Sequence, residues 1–190
     1  MPSFRAVLEA NVLFSAPQRD LLLELALADF YQARWSETIL AETKAAILKH
    51  RPDIAENRLD RTIKLMNANV RDCLIEPPVE LISAIGDIPD PNDRHVLATA
   101  IVGQCQAIVT WNMRDFPASA LERYGVEAIA PDDFLVAQFD LNEGAFLAAV
   151  VRVRQRLKNP EVSSEKYLSI LIKNGFVGTA AKLREFARFI

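Results

Sequence analysis

Cysteine and histidine are scarce in this sequence, which contains only two residues of each type. Cys73 and Cys105 lie in or beside apolar runs, so we interpret both as buried free thiols. His50 and His95 have no cysteine or second histidine at metal-ligand spacing, and we interpret both as structural residues. These absences argue against a zinc site and against a disulfide framework.

Glycine is also rare, with six among 190 residues. The sequence has no G-x-x-x-x-G-K-[S/T] loop and no G-x-G-x-x-G motif, which argues against P-loop and dinucleotide sites. Ser15 lacks a G-x-S-x-G context, so a serine hydrolase is not indicated. No apolar run approaches the roughly 18 residues of a membrane span, and the first residues do not resemble a secretory signal. We therefore expect a cytoplasmic protein.

Charge is unevenly distributed along the chain. Apolar residues make up 51% and charged residues 25%, which is typical of a globular protein, and the formal net charge is −3. Residues 1–140 carry 13 basic and 21 acidic residues, a net charge of −8, whereas residues 141–190 carry 9 and 4, a net charge of +5. A basic tail on an acidic body predicts an anionic partner or a nearby acidic groove, although solvated helix faces explain the same charges equally well.

Short apolar runs alternate with helical patterns over the first 140 residues. We predict strands at 6–8, 73–75, 107–110 and 126–129, and a short extended piece at 33–35. We predict helices at 17–31, 36–49, 53–68, 90–103, 118–124 and 131–139. This alternation implies right-handed crossovers and a parallel sheet covered on both faces. Later residues are patterned as helices only, at 141–158, 163–173 and 176–189, so we predict a domain at 1–140 and a helical extension at 141–190.

Glu9 is the first candidate site residue. It follows directly after the apolar run Ala6–Leu8, which has the length of a buried strand. An acid at the end of a buried strand is costly to desolvate unless another group pairs with it. In open α/β sheets, ligands bind at the carboxyl ends of the strands. Glu9 is therefore expected to belong to a site.

Four further residues could join Glu9, and each has a simpler structural explanation. Asp93 lies three residues after the predicted helix cap Asp90, where helix capping alone would favour an acid. Glu42 borders the apolar stripe of its predicted helix, where a solvated flanking residue is common. Asn112 and Asp115 are ordinary turn residues, but they follow the end of a predicted strand, as Glu9 does. Thr110, at the end of that strand, could donate a hydrogen bond that orients an acid.

The candidate ligands are thus all oxygen donors. Several carboxylates brought together repel one another, and their pKa values rise unless a cation neutralises them. Carboxylate-only sites with open water positions suit Mg²⁺ or Mn²⁺, and they commonly act on phosphates. One or two such ions activate water and stabilise the leaving oxygen in phosphodiester cleavage.

Four segments together resemble a PIN-domain ribonuclease, and the resemblance covers about Phe4 to Phe139. These are VLEANVLFSA at 7–16, Glu42 on its helix, DRHVLATA at 93–100 and IVTWNMRDF at 108–116. The nearest likeness is to the toxin half of VapBC-type toxin–antitoxin systems. The resemblance implies a three-layer α/β/α sandwich with a mostly parallel sheet. It also implies endonucleolytic RNA cleavage by a water that Mg²⁺ or Mn²⁺ activates, and a small DNA-binding antitoxin as partner; a homodimer is left open.

The resemblance assigns the acids residue by residue. The metal-binding and catalytic acids would be Glu9, Glu42, Asp93 and Asp115, with Asn11, Thr110 and Asn112 in support. Two departures stand out, since the family normally has Asp where this chain has Glu9, and many relatives have an acid where it has Asn112. The extra methylene of Glu9 displaces its carboxylate, and Mg²⁺ demands near-ideal octahedral geometry. Glu9 is therefore either a native tolerance or a substitution that tames a toxic enzyme.

The helical extension exceeds a minimal PIN domain. We expect it either to line an RNA groove or to dock the antitoxin. The residues proposed for this contact are Arg152, Arg154, Arg156 and Lys158. Two alternatives to an RNA-cleaving toxin stay open: a catalytically impaired PIN domain that binds RNA or a partner, and a metal-dependent nuclease that acts on DNA.

Overall fold

A parallel sheet forms the centre of the computed structural model, which describes residues 4–158 and 160–190. Its four strands are β1 (Arg5–Leu8), β2 (Gln32–Arg34), β3 (Ala107–Val109) and β4 (Glu127–Ile129). They lie in the order β2-β1-β3-β4, and every neighbouring pair is parallel. Helices connect these strands and give a three-layer α/β/α arrangement, as the sequence predicts.

The two central strands bring the candidate site together. In β1, Val7 pairs with Ile108 of β3, and Leu8 pairs with Val109. These apolar side chains are fully buried, which explains why both strands read as short uninterrupted apolar runs. Because the strands are parallel and end in register, the residues that follow them emerge at the same edge of the sheet.

The helices surround this sheet and continue beyond it. They are α1 (Ala10–Leu13), α2 (Ala16–Leu27), α3 (Glu37–His50), α4 (Glu56–Asn69), α5 (Val79–Ala84), α6 (Arg94–Val102), α7 (Ala118–Leu121), α8 (Pro131–Leu141), α9 (Glu143–Arg156), α10 (Ser164–Lys173) and α11 (Val177–Arg184). Single 3₁₀ turns at Pro91–Asp93 and Glu122–Tyr124 precede α6 and follow α7. Ser36 caps α3 by accepting from the Ile39 amide at 3.3 Å, as predicted. The short helices α1 and α5 are not predicted from the sequence.

The prediction of a strand at 73–75 is wrong. Only an isolated parallel bridge joins Leu74 to Trp35, where the Trp35 amide donates to Cys73 and the Ile75 amide donates to Trp35. The pairing cannot extend, because Pro77 and Pro78 have no amide hydrogen to donate. The second strand of the sheet is instead β2, at the position predicted as a short extended piece.

The C-terminal helices share one apolar core with the sheet. Phe146 of α9, Tyr167 of α10 and Phe176, which precedes α11, are at most 1% exposed and belong to the same cluster as β1 and β3. Asp132 of α8 caps α11 by accepting from the amides of Gly178 at 2.7 Å and Thr179 at 2.9 Å. Within the described ranges, none of the helices combines the length and apolar character needed to cross a membrane. The division at residue 140 stays a prediction.

Candidate active site

Glu9 lies where β1 ends, beside the end of β3. Its amide donates to the carbonyl of Val109 at 3.2 Å, which extends the pairing of the two strands by one residue. Its side chain caps the short helix α1 by accepting from the Asn11 amide at 3.4 Å. The carboxylate is thus held at the carboxyl edge of the sheet, the edge at which parallel α/β folds bind ligands.

The Thr110 hydroxyl, directly after β3, organises the polar groups at this edge. It donates to Glu9 Oε2 at 2.6 Å, and it accepts from Asn11 Nδ2 at 3.2 Å and from the Asn112 amide at 2.8 Å. Asn11 Oδ1 in turn accepts from the Trp111 amide at 3.2 Å. Thr110 is fully buried, so the network joins the loop after β1 to the loop after β3 with all hydrogen-bonding capacity of its hydroxyl in use.

Glu42 enters the site from α3 and is held by a residue that the sequence reasoning assigned a structural role. His95 Nε2 lies 3.0 Å from Glu42 Oε1, and the imidazole is buried whereas the Glu42 side chain is 44% exposed. The sequence indicates only that His95 lies two residues after Asp93. Its contact with Glu42 arises from the packing of α6 near α3, which no local pattern encodes.

Asp93 is the N-cap residue of α6, but its side chain makes no capping hydrogen bond. The capping hydrogen bond of this turn is made by Asp90, whose Oδ1 accepts from the Asn92 amide at 2.9 Å, whereas Asp93 makes no side-chain cap bond. Capping by a side-chain hydrogen bond therefore accounts for Asp90 and not for Asp93, although an acid in the first helical turn also suits the helix dipole. Burial raises the pKa of Asp93 to about 6, with further increases from the charges of Asp115, Asp90 and Glu42.

Asp115 completes the acidic group from the loop after β3. Its carboxylate accepts a hydrogen bond from the Asn112 side-chain amide, and its own amide donates to the Asn112 carbonyl at 3.1 Å. Both residues therefore form a turn, as their residue types suggest. The charge of Asp115 nevertheless reaches Asp93, just before α6, and after burial it contributes most to the raised pKa of Asp93.

The four acids form one electrostatic group. Burial raises the pKa of Glu9, the hydrogen bonds from Thr110 and Asn11 lower it, and the charges of Asp93 and Glu42 raise it again. A group of mutually repelling carboxylates, to which no described Lys or Arg is paired, is the donor set that a hard divalent cation neutralises. Among the described residues, however, no three His, Cys, Asp or Glu side chains lie close enough together to hold a metal ion. The donor chemistry fits the cation, but the side chains as placed do not form a complete coordination shell.

The basic residues predicted for RNA or partner contact lie on and just after α9, and two of them are already paired with an acid. Arg152 Nε and Arg156 Nη2 both donate hydrogen bonds to the carboxylate of Glu24 on α2, the latter at 2.5 Å. Arg154 donates to the Val162 carbonyl at 2.7 Å, and Lys158 makes no ion pair with a described residue. Together these residues line an open depression of about 860 Å³.

The fold and site define a parallel α/β protein with a carboxylate group at the carboxyl edge of its sheet. The sequence profile described as "PIN domain" matches residues 5–114, more than half of the chain, and the chain therefore belongs to the PIN-domain family. A second profile, described as "VapC50 C-terminal domain", matches residues 131–185. The family resemblance inferred from the sequence is thus confirmed.

A curated relative is similar over part of the chain. The Mycobacterium tuberculosis protein named "Putative ribonuclease VapC50" is 39% identical over 79 residues, which is 42% of this chain and 47% of that protein. The chain thus spans about half the length of this relative. No solved structure matches the chain significantly.

Proposed function

We propose that this protein is a metal-dependent endoribonuclease and the toxin of a type II toxin–antitoxin pair. The observation that carries the proposal is the electrostatic group of Glu9, Glu42, Asp93 and Asp115, in which Asp93 has its pKa raised to about 6. Acids gathered in this way, with no Lys or Arg partner in the described part of the chain, repel one another, and a bound cation would relieve that repulsion. Membership of the PIN-domain family and the similarity to a protein named as a ribonuclease support the same proposal.

The four acids would hold Mg²⁺ or Mn²⁺. A bound ion of this kind would supply positive charge and Lewis acidity for phosphodiester hydrolysis. The protein's own contribution is orientation, because Thr110 and the Asn11 amide fix the Glu9 carboxylate, and His95 fixes Glu42. Such supporting contacts set how well the acids can receive an ion.

The decisive test compares wild-type protein with Asp93→Asn on labelled RNA and DNA oligonucleotides, with Mn²⁺ or Mg²⁺. We expect the wild type to cut RNA, and we expect Asp93→Asn to lose the activity while its circular dichroism spectrum is unchanged. Asp133→Asn is the matched control, because Asp133 is an exposed acid in the first turn of α8 and lies outside the acidic group. Full RNA cleavage by Asp93→Asn would refute the proposal, and cleavage of DNA alone would favour the DNA nuclease alternative.

A specific observation favours the binding-module alternative. Both oxygens of Glu9 accept hydrogen bonds from the protein itself, and Glu stands where the family normally has Asp. Small displacements in a site can lower a rate by about a hundredfold. Glu9→Asp separates the cases: a large gain in cleavage would mean that Glu9 restrains an otherwise complete site. No cleavage by either form, together with retained RNA binding, would favour the module.

We also propose that RNA reaches the basic depression at the end of α9. Arg152 and Arg156 keep unused donors beside Glu24, but Arg154 and Lys158 are the cleaner test because neither neutralises a buried acid. Each phosphate of single-stranded RNA that a variant no longer neutralises should reduce the slope of log affinity against log salt by about 0.7. Arg154→Gln and Lys158→Gln should therefore lower this slope. Lys182→Gln, which removes an ion pair with Asp140, serves as control.

The remaining parts of the proposal concern partners and location. A small DNA-binding antitoxin is the proposed protein partner, and cytoplasmic RNA the substrate, so we propose that the protein acts in the cytoplasm. Co-expression with a candidate antitoxin should relieve growth inhibition by the wild type and yield a stable complex on gel filtration. A homodimer stays a prediction, which the same column would test.

A further inference from the structure

Trp111 links the candidate site to the C-terminal helices. It lies between Thr110 and Asn112, and its amide donates to Asn11 Oδ1 at 3.2 Å. The indole Nε1 donates to Gln18 Oε1 on α2 at 3.2 Å. Trp111 is 38% exposed, so part of the ring faces solvent while the rest contacts the protein. The Trp111 indole is not one of the candidate metal ligands, so its contacts require a separate explanation.

The surface that receives the indole is the turn between α10 and α11, residues Asn174–Phe176. The Phe176 ring packs edge-on against Trp111, with ring centroids 5.5 Å apart. Gly175 has a φ of +91°, and a Cβ atom at this position would lie 2.9 Å from Trp111 Cη2. Gly175 is therefore required twice, once by its backbone conformation and once by the close approach of the indole.

The same turn also touches the other loop of the site. Ser15 Oγ donates to Asn174 Oδ1 at 2.5 Å, across 159 residues of sequence. Ser15 is the residue before α2, at the end of the segment that begins with Glu9. Asn174 is itself anchored, since its Nδ2 donates to the Ile170 carbonyl at 2.8 Å. One turn of the C-terminal extension thus contacts both loops that carry the site.

We propose that the Asn174–Phe176 turn is a positioning element that sets the loop carrying Asn112 and Asp115 against the loop carrying Glu9. Its residues act through Trp111 and Ser15 and contact no reacting atom. The catalytic consequence rests on the proposed function, whereas the ordering of residues 110–115 does not. The C-terminal helices would then be needed in the same chain for the acids to receive an ion.

Gly175→Ala and its control Gly125→Ala give the sharpest test. Both glycines have positive φ, but an added Cβ meets the indole at Gly175 and meets nothing within 4 Å at Gly125. Hydrogen-exchange mass spectrometry should show at least tenfold faster exchange of residues 110–115 in Gly175→Ala and no change there in Gly125→Ala. Acrylamide quenching should rise in Gly175→Ala alone, because Trp35, the other tryptophan, is fully buried.

A second pair of variants tests whether an effect on the site arises only from lost stability. Phe176→Leu removes the ring contact with Trp111, and Phe146→Leu removes an equally buried ring that contacts Phe30 and Phe139 instead. The two variants are compared at temperatures equally far below their thermal midpoints. Under these conditions, Phe176→Leu should weaken Mn²⁺ binding, measured by calorimetry. It should also lower kcat by about tenfold or more, while KM stays within twofold. Phe146→Leu should change neither.

The outcomes separate this proposal from the proposed function. Unchanged exchange of residues 110–115 in both Gly175→Ala and Phe176→Leu would overturn the positioning role, as would equal changes in the two controls. If the wild type cuts no RNA, the proposed function fails, and the exchange data still decide whether the turn orders the loop.

Discussion

At the scale of one residue, Asp93 shows how a functional group can lower the stability of the folded state. The pKa of Asp93 is raised to about 6 in the folded chain, above its ordinary value of 3.8, because of burial and the nearby acids. The folded state therefore binds its proton more tightly than the unfolded state does. Stability from this group is fully present below the unfolded pKa and is lost as pH rises from about 4 to about 6.

Asp93→Asn should consequently stabilise the protein at neutral pH. The amide mimics the neutral carboxyl, so the variant avoids the charge repulsion that the wild type develops above pH 6. Because Asp93 is partly exposed, solvent screening limits the gain to about 1 kcal/mol or less, or about 2–4 °C in Tm. Thermal unfolding at pH 7 and pH 4 checks this, and the difference should vanish at pH 4. A variant less stable than the wild type at pH 7 would contradict the argument.

Thr110→Val tests the residue that holds Glu9. The substitution keeps the shape of the side chain. It removes the hydrogen bond that Thr110 donates to Glu9 Oε2 and the two bonds that it accepts, from Asn11 Nδ2 and from the Asn112 amide. We expect Mn²⁺ affinity to fall about tenfold, as for removal of other supporting groups, and stability to fall by about 1–3 kcal/mol. Calorimetry and denaturant unfolding measure the two effects.

Thr99→Val is the matched control for that substitution. Thr99 is equally buried, but among the described residues its hydroxyl bonds only the His95 carbonyl of its own helix, at 2.7 Å. It should lose little stability and keep its Mn²⁺ affinity. Equal losses of Mn²⁺ affinity in the two variants would show that loss of any buried hydroxyl lowers the affinity. The contact between Thr110 and Glu9 would then not be the cause.

The residues at the ends of β1 and β3 are those that sequence reasoning places best. Glu9 and Thr110 each follow a short apolar run, and parallel strands in register bring such residues together. His95 is the counterexample, because its contact with Glu42 depends on how α6 lies relative to α3. Sequence pattern locates residues along an element, but the distance between two elements requires the packed structure.

At the scale of elements, the predictions succeed where a local rule determines the result and fail where pairing does. Ser36 caps α3 because its side chain serves the nearby amide of Ile39. Residues 73–75 have the apolar pattern of a strand, but that pattern alone does not show that their pairing stops at a single bridge to Trp35. Likewise, the basic residues of α9 suggest a solvated or binding face, and only packing reveals that two of them neutralise Glu24.

The α2–α9 contact yields a prediction at this scale. Glu24 is 4% exposed, and Arg152 and Arg156 are its charged partners. The double variant Arg152→Gln, Arg156→Gln should lose about 3 kcal/mol of stability, because it leaves a buried carboxylate without compensating charge. Adding Glu24→Gln should restore most of this loss, as measured by urea unfolding at pH 7. No recovery would mean that the arginines stabilise the helices by packing rather than by charge.

At the scale of the whole molecule, part of the charge asymmetry of the sequence is neutralised within the molecule. The basic tail packs against the acidic body through Glu24 and through the ion pair of Lys182 with Asp140. The apolar core likewise runs from the sheet into α9, α10 and the start of α11. A binding surface for RNA or an antitoxin can therefore use only the charges that this packing leaves available.

Removal of residues 141–190 should accordingly prevent stable folding rather than simply remove a binding surface. The truncated chain would expose the apolar faces of α2 and α8, and it would leave Glu24 without Arg152 and Arg156. We expect residues 1–140 to lack a cooperative thermal transition and to bind the dye ANS, whereas the full chain unfolds cooperatively. A truncated chain that unfolds cooperatively and binds Mn²⁺ with full affinity would contradict both this expectation and the positioning role of the Asn174–Phe176 turn. Point substitutions on α9, which leave the core intact, are therefore the proper way to measure RNA contact.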